Sequence, residues 1–217
     1  MNKIIIVDDH SLFREGLKLL IENEGFGQVI AEAENGLVFL KQLASIRPDL
    51  VIMDIEMPVM GGLEATKQAL MLYPDLKILV VTMLTEKESY FDLLNAGAMG
   101  FVLKTAGKTE FEKAINALRN GESYFSNDLL RQIISNKALR KTEDLEQNER
   151  NKIKLTARES EILELFCKGK TVTEIAEKLF LSPKTIEAHR STLLRKTDAK
   201  NTINLILYAI KNKLVNF

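Results

Sequence analysis

The amino-acid sequence predicts a two-domain protein, in which a doubly wound α/β domain with a five-stranded parallel sheet precedes a smaller all-α domain of four helices. In the first 120 residues, short and almost wholly apolar runs alternate with amphipathic stretches of helical length. Residues 153–217 contain no strand-like run. Residues 1–149 have 16 Lys and Arg against 23 Asp and Glu, whereas residues 150–217 have 14 against 7. An acidic and a basic module suggest two different partners.

Composition excludes several classes of protein. The chain has 217 residues and 24.5 kDa, which is more than one small domain needs. Its single Cys excludes an intramolecular disulfide framework and a Cys-rich zinc site, and its two His add little metal-binding capacity. No apolar stretch reaches the ~18 residues of a membrane span, and the short run before Asp8 and Asp9 is typical of a strand rather than a signal peptide. We therefore expect a cytoplasmic protein without a membrane partner.

The first domain consists of alternating strands and helices. The apolar runs predict strands at Ile4–Val7, Val29–Ala33, Leu50–Met53, Ile78–Val81 and Gly100–Leu103. The amphipathic stretches predict helices at Leu12–Glu24, Leu37–Ser45, Leu63–Tyr73, Lys87–Ala96 and Glu110–Asn120. Thr85 with Glu88, and Thr109 with Glu112, have the spacing of a capping box before the last two helices. These β–α units predict an open sheet with helices on both faces.

Residues 122–150 become steadily more polar and end in a run of mixed charge. This composition predicts a linker, with a helix near Asn127–Asn136. The predicted domains are therefore residues 1–121 and residues 151–217, joined by this linker.

The second domain is predicted to be helical. Capping signals and apolar stripes place helices at Thr156–Lys168, Thr171–Leu179, Ser182–Thr197 and Asn201–Asn212. The turn between the second and the third contains only Phe180, Leu181 and Ser182, which is typical of a helix-turn-helix unit. Cys167 is expected to be a core residue and His189 to be half-buried.

The fourth predicted helix is apolar on more than one face. One face must pack on the core of its own domain. The other is either covered within a monomer or paired with a second copy of the chain, and dimerisation would present two half-sites related by two-fold symmetry.

Five chemically active side chains fall at the carboxyl ends of the predicted strands, which is the edge where open α/β sheets bind ligands. Asp8 and Asp9 end the first strand, and Asp54 ends the third. Thr82 ends the fourth, and Lys104 follows the fifth. Clustered carboxylates raise one another's pKa values unless a cation neutralises them, and a hard divalent cation such as Mg²⁺ does so.

These five side chains together could accept and stabilise a phosphoryl group. An Asp beside a divalent cation can attack a phosphoryl group and form an acyl phosphate. The cation and Lys104 would then stabilise the charge on the equatorial oxygens. Any one of these Asp is better explained as a turn or a helix cap, but the whole set at successive strand ends indicates a site.

Four motifs carry a resemblance to a known family: VDDH at 7–10, DIEMPVMGGLE at 54–64, VVTML at 80–84 and GFVLKT at 100–105. Together they resemble the flavodoxin-like receiver domain of two-component response regulators. The resemblance implies that Asp54 is the phosphoacceptor, with a sensor histidine kinase as the donor. It also implies a set of Mg²⁺ ligands: Asp8, Asp9, Asp54 and the backbone carbonyl of Glu56.

The same resemblance implies roles for three further residues. Thr82 would move its hydroxyl toward the phosphoryl group, and Lys104 would pair with it. Phe101 stands where receivers have an aromatic switch residue, but it lacks the hydroxyl of the commoner Tyr. A receiver is no enzyme beyond Mg²⁺-dependent self-phosphorylation from a donor and slow self-dephosphorylation.

Residues 155–210 of the second domain resemble the LuxR-type helix-turn-helix of the NarL/FixJ class, most strongly at LTARE, GKTVTEIA and LSPKTIEAHRSTLLRK. The resemblance implies that helix 183–197 reads a double-stranded DNA operator, with Glu187, Ala188 and Ser191 facing the bases. It implies phosphate contacts from Lys170, Thr171, Lys184, Thr185, Arg190 and Lys196. It also implies a homodimer on phosphorylation or DNA binding, and it allows RNA polymerase as a partner.

Glu187 departs from the family, because many relatives have Lys at this position. A carboxylate repels phosphates but accepts a hydrogen bond from cytosine N4. We therefore expect Glu187 either to read a cytosine or to lower the affinity for DNA of arbitrary sequence.

The leading hypothesis is a DNA-binding transcription regulator controlled by phosphorylation. A phosphatase or phosphotransfer intermediate that uses the same Asp54 is an alternative, but it needs no basic helical domain. An interaction module that is never phosphorylated is a third, and the intact set of polar strand-end residues argues against it.

Overall fold

The structure is a computed structural model that describes residues 2–83, 96–126, 153–199, 201–212 and 214–215, without the side chains of residues 203, 207, 210 and 211. The chain divides into two compact units, Met1–Tyr124 and Phe125–Phe217. Of the predicted helix Lys87–Ala96, all but the last residue lies outside the described residues. The predicted helix near Asn127–Asn136 and the linker from residue 127 to residue 150 also lie outside them.

The first unit is built on a parallel sheet, as predicted. Its strands are β1 (Lys3–Val7), β2 (Gln28–Ala33), β3 (Leu50–Asp54), β4 (Lys77–Thr82), β5 (Gly100–Leu103) and β6 (Tyr124–Phe125). They lie in the order β2-β1-β3-β4-β5-β6, and each pairing from β2 to β5 is parallel. Central strands are buried on both faces, which explains why they are almost continuously apolar.

The sheet has one more strand than the sequence predicts. β6 has two residues, and the backbone N–H of Tyr124 donates to the carbonyl of Met99 at 3.1 Å. A two-residue strand has no apolar run of its own, so periodicity does not reveal it.

Helices flank this sheet in the described residues, at α1 (Ser11–Asn23), α2 (Gly36–Leu43), α3 (Gly62–Leu72) and α4 (Lys108–Arg119). The predicted capping box of Thr109 and Glu112 is wrong. α4 begins at Lys108 with Gly107 as its N-cap and without a side-chain cap, because the backbone turns into the helix earlier than the motif indicates.

The second unit is helical, and its helices match the predicted ones within a few residues. They are α5 (Ala157–Cys167), α6 (Val172–Leu179), α7 (Pro183–Thr197) and α8 (Thr202–Lys211). Both predicted capping boxes are formed, at Thr156 with Glu159 and at Thr171 with Glu174. Gly169 follows α5 with a φ of 71°, where a residue without a Cβ ends a helix at low cost.

The core of this unit is formed by the apolar stripes of its helices, at Ile162, Leu163, Phe166, Ile175, Ile186, Leu193, Leu205 and Ala209. Cys167 is buried as expected, and burial raises the pKa of its thiol to about 12, with a further contribution from the charge of Glu164. His189 is half-buried. Among the described helices, none is both long and apolar enough to span a bilayer.

Candidate functional site

The polar strand-end residues meet at the carboxyl edge of the sheet. β1, β3, β4 and β5 are consecutive neighbours, so parallel pairing brings the residues that end them side by side. The Lys104 ammonium lies 2.7 Å from a carboxylate oxygen of Asp8 and 2.7 Å from one of Asp54. All three side chains are more than nine-tenths buried. Segments from three strands thus form one compact charged cluster.

Asp54 is a buried carboxylate under opposing influences. Its Oδ1 accepts a hydrogen bond from the backbone N–H of Ile55 at 2.8 Å, and its Oδ2 accepts one from Lys104 at 2.7 Å. Burial raises the pKa of Asp54, the bond from Lys104 lowers it, and the negative charge of Asp8 raises it again. The net pKa lies above the ordinary value. Additional positive charge beside Asp54 would therefore favour its ionised form.

Lys104 is held in place by its backbone and by its side chain. Burial by itself would lower the pKa of the ammonium, but the hydrogen bonds to Asp54 and Asp8 outweigh burial and raise that pKa. The backbone N–H of Lys104 donates to the carbonyl of Thr82 at 2.8 Å, and the ammonium lies 4.9 Å from the centre of the Phe13 ring. Lys104 therefore stays charged through neutral pH, at a fixed position.

Asp9 lies beside a residue to which the sequence analysis assigned no role. The Nδ1 atom of His10 lies 2.8 Å from Asp9 Oδ1 and 3.3 Å from Asp8 Oδ1. Potential ligand atoms of Asp8, Asp9, His10 and Asp54 all lie within 4.8 Å of one another. A group dominated by carboxylate oxygens, one of them on a buried Asp with a raised pKa, fits a hard divalent cation such as Mg²⁺.

The loop after β3 is held against Asp54 by a glycine. The backbone N–H of Gly62 donates to the carbonyl of Ile55 at 2.9 Å, and a Cβ on Gly62 would lie 2.0 Å from the carbonyl oxygen of Asp54. Only glycine fits there. Glu56 lies in this loop, two residues after Asp54, with its side chain exposed. Val59, also in the loop, has a φ of 68°, which costs a β-branched residue about 1–2 kcal/mol.

The two predicted switch residues are buried. The Thr82 hydroxyl donates to the carbonyl of Met83 at 2.9 Å, and Thr82 is 3% exposed. Phe101 lies on β5 and has no exposed surface. In this conformation, the Thr82 hydroxyl is thus committed to its neighbouring backbone, while the ring of Phe101 belongs to the core.

Three residues near the cluster lack a role in the sequence analysis. The Arg14 guanidinium donates to the backbone carbonyl of Asp8, the Phe13 ring lies beside the Lys104 ammonium, and His10 pairs with both carboxylates after β1. In the sequence, only the spacing of these three residues along α1 could have indicated that they lie near the cluster. His10 is the N-cap of α1, and positions three and four residues after it share its side of the helix.

In the second unit, α6 and α7 are joined by a tight turn, as a helix-turn-helix requires. Phe180 has left-handed backbone geometry with a φ of 54°, and Ser182 then caps α7 by accepting from the backbone N–H of Thr185 at 3.1 Å. Pro183 occupies the first turn of α7. These local features set the angle at which α7 leaves the turn.

The predicted base-facing residues lie on one side of α7. Ala188 and Ser191 are exposed, and Glu187 is partly exposed. Glu187 Oε2 lies 2.8 Å from a terminal nitrogen of Arg190, one helical turn further along. The Glu187 carboxylate is therefore paired within its own helix.

The predicted phosphate contacts have different environments. Lys184 is exposed, and the Thr185 hydroxyl lies 2.8 Å from that of Ser182. Thr171 caps α6, and the Lys170 ammonium lies 3.4 Å from Glu174. Lys184 thus presents its charge directly to solvent, whereas Thr171 also serves the fold of the unit.

Lys196 has a structural role that its sequence position does not indicate. Its ammonium lies 2.6 Å from Glu159 Oε2 and 3.3 Å from the carbonyl oxygen of Lys154. Burial would raise the pKa of Glu159, but the bond from Lys196 and the backbone N–H of Thr156 lower it below its ordinary value. The pair joins α7 to the start of α5.

Comparison with known families covers both units. Residues 4–116 match the model of the response regulator receiver domain, and residues 154–209 match that of the bacterial regulatory proteins of the luxR family. The oxygen regulatory protein NreC of Staphylococcus haemolyticus is 36% identical over 217 residues, covering 99% of this chain and 100% of the relative. NreC of Staphylococcus aureus strain bovine RF122 is 35% identical over 216 residues, with the same coverage.

Solved structures of response regulators are similar to this chain over nearly its whole length. RcsB from Salmonella enterica serovar Typhimurium, bound to promoter P1flhDC in the presence of phosphomimetic BeF3-, is 28% identical with a TM-score of 0.58, covering 97% of this chain and 98% of that one. The response regulator ChrA of a heme-sensing two-component system is 26% identical with a TM-score of 0.51, covering 98% of each chain.

Proposed function

Because the chain belongs to the two-component response regulators, with a receiver domain and a LuxR-type DNA-binding domain, we propose that Asp54 is its phosphoacceptor. Proteins of this family are phosphorylation-dependent transcription regulators rather than enzymes, and so is this chain. One observation carries the assignment to Asp54. Its buried carboxylate shares the ammonium of Lys104 with Asp8, in a cluster that borders the accessible Asp9.

The transfer forms a bond between an Asp54 carboxylate oxygen and phosphorus, while the bond from phosphorus to the donor breaks. The donor is the phosphohistidine of a sensor kinase, or a small acyl phosphate in self-phosphorylation. Lys104 stabilises the negative charge that builds up on the phosphoryl oxygens. Slow self-dephosphorylation reverses the state when water attacks the same phosphorus.

Asp8, Asp9, Asp54 and the carbonyl of Glu56 would hold Mg²⁺ at this edge. Receiver domains generally bind Mg²⁺ in their acidic pocket, and the Asp-rich cluster fits such an ion. When bound, Mg²⁺ supplies positive charge that offsets repulsion between the carboxylates and the incoming phosphoryl group. Arg14 and the backbone N–H of His10 then keep Asp8 in position, since they bond to its carbonyl and its Oδ1.

Phosphorylation acts by population shift. The Thr82 hydroxyl leaves the Met83 carbonyl for a phosphoryl oxygen, and Lys104 follows the same charge. The packing of the buried Phe101 ring then responds to the movement of Thr82. The shift is no larger than the difference in interaction energy between the two conformers and the phosphoryl group.

The second unit binds a double-stranded DNA operator through α7. Glu187, Ala188 and Ser191 meet the bases, and the predicted basic and hydroxyl side chains contact phosphates. The net positive charge of residues 150–217 supports this, because phosphate neutralisation supplies much of the affinity for DNA.

We assign residues 1–121 to the receiver, residues 122–150 to a linker and residues 151–217 to the DNA-binding domain. The first residues of this linker include β6, which adds to the edge of the receiver sheet. A homodimer forms on phosphorylation or DNA binding, so that two copies of α7 reach two half-sites. The solved DNA complexes of RcsB support DNA as a partner. RNA polymerase is a further candidate partner of the DNA-bound dimer.

The phosphoacceptor is tested by incubating the full chain with acetyl phosphate and Mg²⁺ and measuring its intact mass. We expect one added phosphoryl group, which hydroxylamine removes because it cleaves an acyl phosphate. Asp54→Asn should abolish the addition, and a chelator should strongly reduce it. Equal labelling of Asp54→Asn would show that another residue accepts the phosphoryl group.

The DNA target is tested by selection from random sequence, with and without the acyl phosphate donor. We expect enrichment of a site with two related half-sites, stronger for the phosphorylated chain. Failure to enrich any sequence in either state would contradict α7 as a reader of bases.

A further inference from the structure

We propose that Glu187 competes with DNA phosphates for Arg190 and thereby lowers the affinity of the protein for DNA of arbitrary sequence. The inference rests on the proposed docking of α7 and adds to it a pair that sets the affinity for DNA. Glu187 Oε2 lies 2.8 Å from a terminal nitrogen of Arg190, and the two side chains are 37% and 20% exposed. The pair therefore lies at the surface of the helix that meets DNA.

Arg190 is incompletely satisfied in this pair. A guanidinium has five N–H donors in a planar fork, and Glu187 Oε2 lies 2.8 Å from one of its terminal nitrogens. The Nε atom is buried and has no hydrogen-bond partner among the described residues. A phosphate can accept two parallel bonds from the same fork, which is the stronger arrangement. Arg190 is thus able to move from the carboxylate to a phosphate when DNA is close.

Glu187 is well placed to oppose that move. It is the only acidic residue in α7, which has four basic residues, at Lys184, Arg190, Arg195 and Lys196. An ion pair between exposed residues three positions apart is weak in free energy. It nevertheless neutralises Arg190 until a phosphate replaces Glu187. On DNA, the released carboxylate then faces the same phosphates and repels them.

The pair should weaken non-specific and specific binding alike, but it takes a larger share of the non-specific free energy. Non-specific affinity comes almost entirely from neutralised phosphates, so withholding one cation removes a large share of it. At an operator, base contacts from α7 add affinity that does not depend on this cation. Glu187 therefore lowers both affinities by similar factors, and operator binding stays the stronger of the two because the base contacts add to it.

The test uses the full-length chain and a short duplex of mixed sequence, titrated at several KCl concentrations. Glu187→Gln should raise the affinity at low salt by roughly threefold to tenfold. It should also steepen the plot of log affinity against log salt by about 0.9, which corresponds to one more phosphate neutralised. In the Arg190→Gln background, Glu187→Gln should produce less than half of either change.

Glu177→Gln is the matched control, because it removes an exposed carboxylate from the neighbouring helix α6. It should change the affinity less than Glu187→Gln does and leave the slope unaltered. Far-ultraviolet circular dichroism of each variant checks that the helices are intact.

Two results would overturn the pairing. Equal effects of Glu187→Gln with and without Arg190 would mean that the carboxylate acts on DNA directly, and a fall in affinity would mean that it is itself a DNA contact. The Lys184→Gln variant tests separately whether α7 docks on DNA at all, as the proposed function requires. If that variant left both affinity and slope unchanged, α7 would not dock on DNA, and both proposals would fall together.

Discussion

Asp54 and Glu159 are both buried carboxylates bonded to a lysine ammonium, yet their pKa values move in opposite directions. For Glu159, the bonds from Lys196 and from Thr156 outweigh burial, and its pKa is lowered. For Asp54, burial and the charge of Asp8 outweigh the bond from Lys104, and its pKa is raised. Glu159 is thus stabilised in its ionised form and holds its domain together, whereas the ionised form of Asp54 needs a further cation to stabilise it.

Asp54→Asn should therefore make the receiver unit more stable at neutral pH in the presence of a chelator. The raised pKa means that the folded state binds more protons than the unfolded state, so ionised Asp54 lowers the free energy of unfolding. The advantage of the variant should be small below about pH 3.9, the ordinary pKa of Asp, and should grow as pH rises through the folded pKa. Scanning calorimetry from pH 3 to pH 7 measures it.

Asp75→Asn provides the control, because Asp75 is an exposed carboxylate in the loop before β4. It should leave the midpoint of unfolding nearly unchanged at each pH. A lower midpoint for Asp54→Asn at pH 7 would mean that the bond to Lys104 outweighs burial and the repulsion from Asp8.

At the scale of elements, the starts of the helices decide where functional groups lie. Thr156 and Thr171 form capping boxes, which fix the start of α5 beside Lys196 and the start of α6 at the proposed DNA surface. α3 starts differently, since Gly62 allows the helix to begin against the backbone of Asp54. α4 starts at Lys108, and its N-cap Gly107 has no side chain to cap it. The packing of its buried face therefore sets the position of this helix.

Gly62→Ala should lower the free energy of unfolding by about 1–3 kcal/mol, as overpacking typically does, and reduce labelling by acetyl phosphate. The added Cβ would lie 2.0 Å from the Asp54 carbonyl oxygen, so either α3 or the phosphoacceptor must move. Gly16→Ala is the contrasting variant, because nothing lies within 4 Å of the added Cβ in the middle of α1. It should stabilise the chain by about 0.5–1 kcal/mol and leave labelling unchanged.

Calorimetry and intact mass give both quantities for the two glycine variants. A Gly62→Ala protein with unchanged stability and full labelling would show that the close approach relaxes without cost.

At the scale of the whole molecule, the chain has an acidic N-terminal segment and a basic C-terminal one. Residues 1–149 have a net charge of −7 and residues 150–217 a net charge of +7, counted from Lys and Arg against Asp and Glu. A dimer raises the effective concentration of the second α7 at its half-site, so a modest change in association gives a large change in DNA occupancy. Phosphorylation in one unit can thereby control binding by the other.

We therefore expect acetyl phosphate and Mg²⁺ to shift the full chain from monomer toward dimer, as measured by light scattering. The phosphorylated chain should also bind its selected operator more tightly than the untreated chain. The reason is that a phosphoryl group on Asp54 stabilises the conformer in which Thr82 and Lys104 close on it.

Asp54→Asn under the same donor conditions is the control, and it should remain at the untreated mass and affinity. If Asp54→Asn still formed a dimer when the donor was added, dimerisation would be regulated through a residue other than Asp54. An unphosphorylated chain that is already fully dimeric would show that phosphorylation acts on a later step.

Local chemistry in the chain was sufficient to predict the strands β1 to β5, both capping boxes of the second domain and the convergence of Asp8, Asp54 and Lys104. These follow from short-range rules: apolar runs form buried parallel strands, and the ends of parallel strands share one edge. Two features were not predicted. β6 has only two residues, which is too short to show an apolar pattern. The start of α4 was misplaced because Thr109 and Glu112 have capping-box spacing one residue after the position where the helix begins.

Only the folded chain decided which charges meet. Lys104 pairs with Asp8 rather than with the adjacent Asp9, Arg190 pairs with Glu187, and Lys196 pairs with Glu159. A strand points successive side chains to opposite faces, and a lysine or arginine reaches any of several neighbours, so sequence order leaves the partner open. Ion-pair choice depends on distances of a few ångströms and on burial, and packing sets both.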